Sequence, residues 1–198
     1  MFPFNRIQYN APVILSFSII TLLVLGLDSL TNGASNWLLF SVYRSSFADP
    51  LFYIRLFAHV LGHANSSHFI SNFVIILLVG PMLEEKYGGK TILVMMVVTA
   101  FTTGVMYLIM FEGRQLGASG IAFTFMLLAS FTNMTRGKIP LTLLLAMGVF
   151  IGREVISSMS DERTNVAYMA HIVGGLCGAV FGFIANRDVK DSRRRVNY

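Results

Sequence analysis

The sequence predicts an all-α membrane protein of six transmembrane helices with both termini in the cytoplasm. Three observations predict it. Hydrophobic residues make up 55% of the 198 and charged residues only 13%, about half the charged share of a soluble domain. The charges stand between long uncharged runs, and lysine and arginine gather on one set of connections between those runs. Disorder is excluded by the same composition. A closed barrel would alternate apolar and polar positions, and these runs do not alternate.

About 20 apolar residues carry a helix across a ~30 Å hydrocarbon core. The first span is expected at about 7–27. It is longer than a signal-peptide core and has no small-x-small cleavage site before Asp28, so it reads as a retained helix. A long loop, 28–66, follows with Trp37, Phe40, Tyr43, Phe47, Phe52, Tyr53 and Phe57. Such rings settle at headgroup level, so the loop is expected to lie in the membrane interface. Further spans are expected at about 67–83, 91–111, 115–135, 139–157 and 165–186. The fifth is uncharged only over 139–152 and is completed if Arg153 and Glu154 reach up to the interface. With no internal repeat visible, residues 1–198 read as one transmembrane domain.

Orientation follows from the basic residues. Arg6, Lys86, Lys90, Arg136, Lys138, Arg187, Lys190 and Arg193–Arg195 share one side, ten residues in all, against Arg44, Arg55, Arg114, Arg153 and Arg163 on the other. The richer side is expected to be cytoplasmic. The net charge of +5 is thus read as topology beside anionic lipid, with no nucleic-acid partner. The single cysteine, Cys177, excludes an internal disulfide and a multi-cysteine metal site.

Polar groups inside membrane helices are costly and point to function. Span two opens with His68 and Asn72, four apart and so on one helix face. Span four opens with Gly117-Ala118-Ser119-Gly120, and span six contains Ala170-His171-Ile172-Val173-Gly174. All three spans start from the non-cytoplasmic side, and each group lies within about two turns of that start, roughly 5–10 Å deep. One layer can therefore hold a hydroxyl, two imidazoles and a carboxamide. A serine becomes nucleophilic when a neighbouring base takes its proton. Ser119 and His171 form such a candidate pair, with His171 as general base and then acid. His68, Asn72 and the Ser119 backbone N–H are candidate oxyanion donors. Spans two, four and six hold no acidic residue, so the pair would be a dyad. Gly174 and Gly178 continue a bare stripe from His171, which allows close helix approach. Phe123 shares a face with Ser119 and is expected to stack on His171.

These residues resemble the rhomboid family of intramembrane serine proteases. The match is Gly117-x-Ser119-Gly120, Ala170-His171-x-x-Gly174-x-x-x-Gly178 and His68-x-x-x-Asn72, one motif on each even span. His59 and His63 stand where bacterial members carry further histidines, and Arg55 matches the arginine of the family's Trp-Arg motif. Ile54 replaces that tryptophan, and Phe123 stands where well-known bacterial members have tyrosine. The resemblance implies a rhomboid-like six-helix bundle. It implies Ser119 as nucleophile, His171 as its base, and His68, Asn72 and the Ser119 backbone as the oxyanion site, with Gly117, Gly120, Phe123, Gly174 and Gly178 in support. Substrates would be single-pass membrane proteins cut in or near the transmembrane segment. No cofactor and no metal are implied.

Other classes fare less well. His59 and His63 have metalloprotease spacing, but Val60-Leu61-Gly62 between them lacks the glutamate, and interface hydrogen bonding is the plainer expectation. An aspartyl mechanism needs paired membrane aspartates. A transporter would place polar groups at depth but shows no inverted repeat here. A catalytically silent relative that binds membrane clients is the stronger alternative, although both Ser119 and His171 are present. The charged stretch 153–165 is expected to form a mobile lid. The lack of a transit-like leader points to a bacterial inner membrane. Oligomeric state is not legible.

Overall fold

A computed structural model describes residues 8–133, together with 141, 144, 145, 148, 149, 152, 156, 172–178, 180 and 181. In chain order it places α1 (Pro12–Leu30), α2 (Ala34–Leu38), β1 (Val42–Tyr43), α3 (Pro50–Ala58), α4 (Ser66–Tyr87), α5 (Gly89–Met110), β2 (Arg114–Gln115) and α6 (Ser119–Asn133). Helical backbone appears again at 172–178. Helices α1, α4 and α5 are each long and apolar enough to cross a bilayer. Their outer faces are apolar as well: Leu23 is 67% exposed and Leu78 72%. A helix apolar on every side needs hydrocarbon around it. The expected spans 139–157 and 165–186 fall largely outside the described residues, as do both termini.

Helix α6 is the hub. Ile121, Ala122, Phe123, Thr124, Phe125, Met126 and Leu128 are all buried, and at 100° per residue they cover the full circumference. It packs chiefly on α4, which in turn holds α1. Helix α1 buries only the stripe Ile14, Phe17, Thr21 and Val24, with Phe17 stacked on Phe73 of α4 at 5.5 Å. Its start has Pro12 in the first turn but no side-chain cap of its own. Glu84, near the end of α4, supplies one. Its two carboxylate oxygens accept the Val13 and Ile14 amides at 3.0 and 2.9 Å, which satisfies donors that an open helix start leaves bare.

The stretch expected as a long loop, 28–66, contains real secondary structure. Helix α1 runs on to Leu30, and the chain then turns through Asn32 and Gly33, both with positive φ. Asp28 Oδ1 accepts from Ser35 Oγ and the Asn36 amide, which ties the turn to α2. Asp49 caps α3 by accepting the Leu51 amide at 3.0 Å, and Pro50 fits the first helical position. Strand β1 pairs antiparallel with β2, Val42 opposite Gln115 and Tyr43 opposite Arg114. That ladder lashes this region to the segment leading into α6.

Arg55 holds the region together from within. Its Nε donates to the Leu38 carbonyl at 2.8 Å, and Nη1 reaches Ser45 Oγ at 3.4 Å and Asp49 Oδ2 at 2.8 Å. The guanidinium also lies 4.5 Å from the centre of the Tyr43 ring. The hydrogen bond and charge of Arg55 hold the Asp49 carboxyl below its ordinary range. The Ile54 side of α3 is turned outward, so these contacts form without a tryptophan at that position.

Candidate active site

Ser119 is the first residue of α6 and is buried. The chain reaches it through Gly117, whose φ of +125° favours glycine. A second demand falls on the same residue. A Cβ there would stand 2.7 Å from His68 Cε1 and 2.8 Å from Nε2. The His68 imidazole therefore packs directly on the bare Cα two residues before the serine. The starts of α4 and α6 lie at one end of the molecule as a result.

The segment 59–63 completes this floor. The Gly117 amide donates to the His59 carbonyl at 2.9 Å. His63 Nε2 lies 3.1 Å from Asn72 Nδ2 and 3.4 Å from the Ala118 amide. Both of those groups are donors, so Nε2 accepts, and the ring proton is assigned to Nδ1 facing the Leu61 carbonyl. The His63 and His68 rings meet at 5.0 Å between centroids. Asn72 is 0% exposed, and its Oδ1 has no partner among the described residues.

His59 and His63 are buried, and both rings are hydrogen-bonded within the protein. Helix α3 ends at Ala58, so their four-residue spacing is not a helix face. His59 Nε2 bonds the Ala100 carbonyl of α5 at 3.0 Å, where Gly104 leaves room for the ring. Burial pushes His59 down to about 4, against the pull of the Ala100 carbonyl. Burial, then the neighbouring His68, pushes His63 down to about 3. Both rings are neutral at physiological pH. Sequence reasoning left them out of the site. Their fixed offsets ahead of His68-x-x-x-Asn72 were the available signal. Among the described residues no group of three or more His, Cys, Asp or Glu side chains is placed to hold a metal ion.

The glycine stripe is a contact surface. A methyl group on Gly174 would overlap the Gly120 carbonyl, and one on Gly178 would collide with the Thr124 carbonyl. Those matched pairs, 120 with 174 and 124 with 178, make segment 172–178 run parallel to α6. Thr124 Oγ1 lies 2.9 Å from the Gly120 carbonyl and 2.7 Å from the Gly174 carbonyl, bridging the two backbones with its one proton. Thr99 of α5 joins it at 3.3 Å. Phe123 lies against Gly175. His171 and the expected stacking of Phe123 on it lie outside the described residues, and so does nearly all of the expected lid at 153–165.

A family model for the rhomboid domain matches residues 51–188. The chain belongs to the rhomboid family. Among curated proteins none matches it. The matched rhomboid domain takes in nearly all of α3, then α4 to α6 and the 172–178 segment, and so includes His59, His63, His68, Asn72, Gly117 and Ser119. Rhomboids are membrane proteins, in keeping with the apolar outer faces of α1, α4 and α5.

Proposed function

We propose that this rhomboid is an intramembrane serine endopeptidase that cleaves single-pass membrane proteins in or near their transmembrane segment. The carrying observation is the overlap-tight approach of Gly174 to Gly120, the residue next to Ser119. His171 stands three residues before Gly174 in the sequence, in the motif Ala170-His171-x-x-Gly174. In this reading His171 takes the Ser119 proton and returns it to the leaving amine. The oxyanion would meet the Ser119 N–H, which at a helix start has no intrahelical acceptor, together with His68 and the second Nδ2 hydrogen of Asn72. Gly120, Phe123 and Gly178 keep the two helices in contact. Water then hydrolyses the acyl-enzyme.

The same reading carries a six-helix bundle with both termini cytoplasmic, on the distribution of basic residues, and a bacterial inner membrane as its location. Labelling by a fluorophosphonate probe tests the nucleophile. The parent should label, and Ser119→Ala should not. Equal labelling of both would leave a silent client-binding rhomboid as the better reading. Cleavage of a single-pass substrate by His171→Ala at the parent's rate would remove the dyad.

A further inference from the structure

Helices α3 and α5 line a cavity of about 560 Å³ that shares no lining residue with the surroundings of Ser119, within the ~300–1,000 Å³ range of built ligand sites. Its walls are Phe52 and Leu56 from α3 and Phe101, Val105 and Ile109 from α5, with Arg44 at the mouth. Among the described residues no acidic one lines it. Along α5 it extends from Ile109 to Phe101, eight residues or about 12 Å, most of one leaflet's half of a ~30 Å core. Phe101 and Ile109 are exposed at its opening, so the opening faces lipid.

Arg44 is fixed rather than loose. Its Nε and Nη2 donate to the Leu108 and Ile109 carbonyls at 2.9 and 3.3 Å. This uses two of five N–H groups. Glu112 Oε1 stands 3.9 Å from Nη1 but is 92% exposed on its side chain and lies outside the cavity lining, a weak pairing in water. Tyr43, next to Arg44, stacks on Trp37 at 5.3 Å, the pairing of an aromatic belt at headgroup depth.

We infer that this cavity holds one acyl chain of a phospholipid, whose phosphate binds Arg44. The guanidinium matches a phosphate in charge and geometry. The apolar walls match the chain below it. The site lies apart from Ser119, and its occupancy does not depend on the proteolytic reading.

Native mass spectrometry of the full chain released from phosphatidylglycerol nanodiscs tests this. After a fixed detergent wash the parent should keep about one phosphatidylglycerol. It should keep a diacylglycerol of the same chains about tenfold less well, the weight of one charge-assisted contact. Arg44→Gln should lose the same factor, Arg44→Lys should keep most of the binding, and Val105→Phe should exclude the chain by filling the cavity. Thermal midpoints check that each variant is folded, and the parent's lipid preference reads out without any variant. Equal retention of the two lipids by the parent would overturn the inference. So would displacement by millimolar inorganic phosphate or by a single-pass substrate peptide.

Discussion

Arg55 and Asn72 are both buried polar side chains at the same end of the molecule, and their surroundings differ. Arg55 meets the Leu38 carbonyl, Ser45, Asp49 and the face of Tyr43. Asn72 meets His63 through Nδ2 and leaves Oδ1 without a partner among the described residues. A buried polar atom left unpaired costs about 1–3 kcal/mol. The first arrangement is what holding a loop requires. The second carries that cost, which fits the oxyanion role proposed for Asn72. If the proposed proteolysis holds, stability and activity reside in neighbouring but separable polar groups.

The sharpest way to break that contrast is at the serine. Ser119→Ala should cut turnover of a membrane substrate to below about one ten-thousandth of the parent, with the thermal midpoint unchanged. Next, His68→Ala should lower kcat by about 10²–10³-fold, the effect of one oxyanion donor, while remaining folded by circular dichroism. Arg55→Ala should do the reverse. We expect its thermal midpoint to fall by roughly 5–10 °C, from several lost hydrogen bonds, with the specific activity of the folded fraction retained. If Arg55→Ala instead lost activity at full stability, the two assemblies would not be separable.

Acid gives a milder test. His59 and His63 are held below the ordinary histidine value, so their neutral forms stabilise the fold fully above about 6.5. As pH drops from there toward about 4 and about 3, the unfolded chain binds protons that the folded chain does not, and stability falls. Thermal midpoints measured from pH 7.5 to 4.5 should decline, and a His59→Gln, His63→Gln double variant should flatten the slope. Smallest of all, Glu84→Gln removes one of the two acceptors at the start of α1. It should cost about 1 kcal/mol, or roughly 2–4 °C, with no change in kcat.

How much of this was legible beforehand varied with the range of the interaction. The membrane helices α1, α4 and α5 follow from uncharged runs, a local property. The nearness of His68 to the serine segment was legible because both motifs stand at helix starts on the same side. The structured first loop was less so. Asp49-Pro50 is a cap signal that an aromatic-rich stretch obscured, and the pairing of Val42 with Gln115 spans 73 positions with no pattern to announce it. His59 and His63 misled by spacing, because a four-residue interval implies a helix face only where the helix continues, and α3 stops at Ala58. The proposed pairing of His171 with Ser119 rests on the sequence motifs, since residue 171 lies outside the described residues.

The carboxylate that finishes α1 has a consequence for biosynthesis. Glu84 sits 70 positions downstream of the Ile14 amide it accepts. Helix α1 leaves the ribosome before α4, and so enters the bilayer before the Glu84 acceptor of its Val13 and Ile14 amides exists. It reaches its final form only when the far end of α4 has followed it in. The order of synthesis and the order of completion are thus opposed, and α1 depends on a later helix for its last bonds.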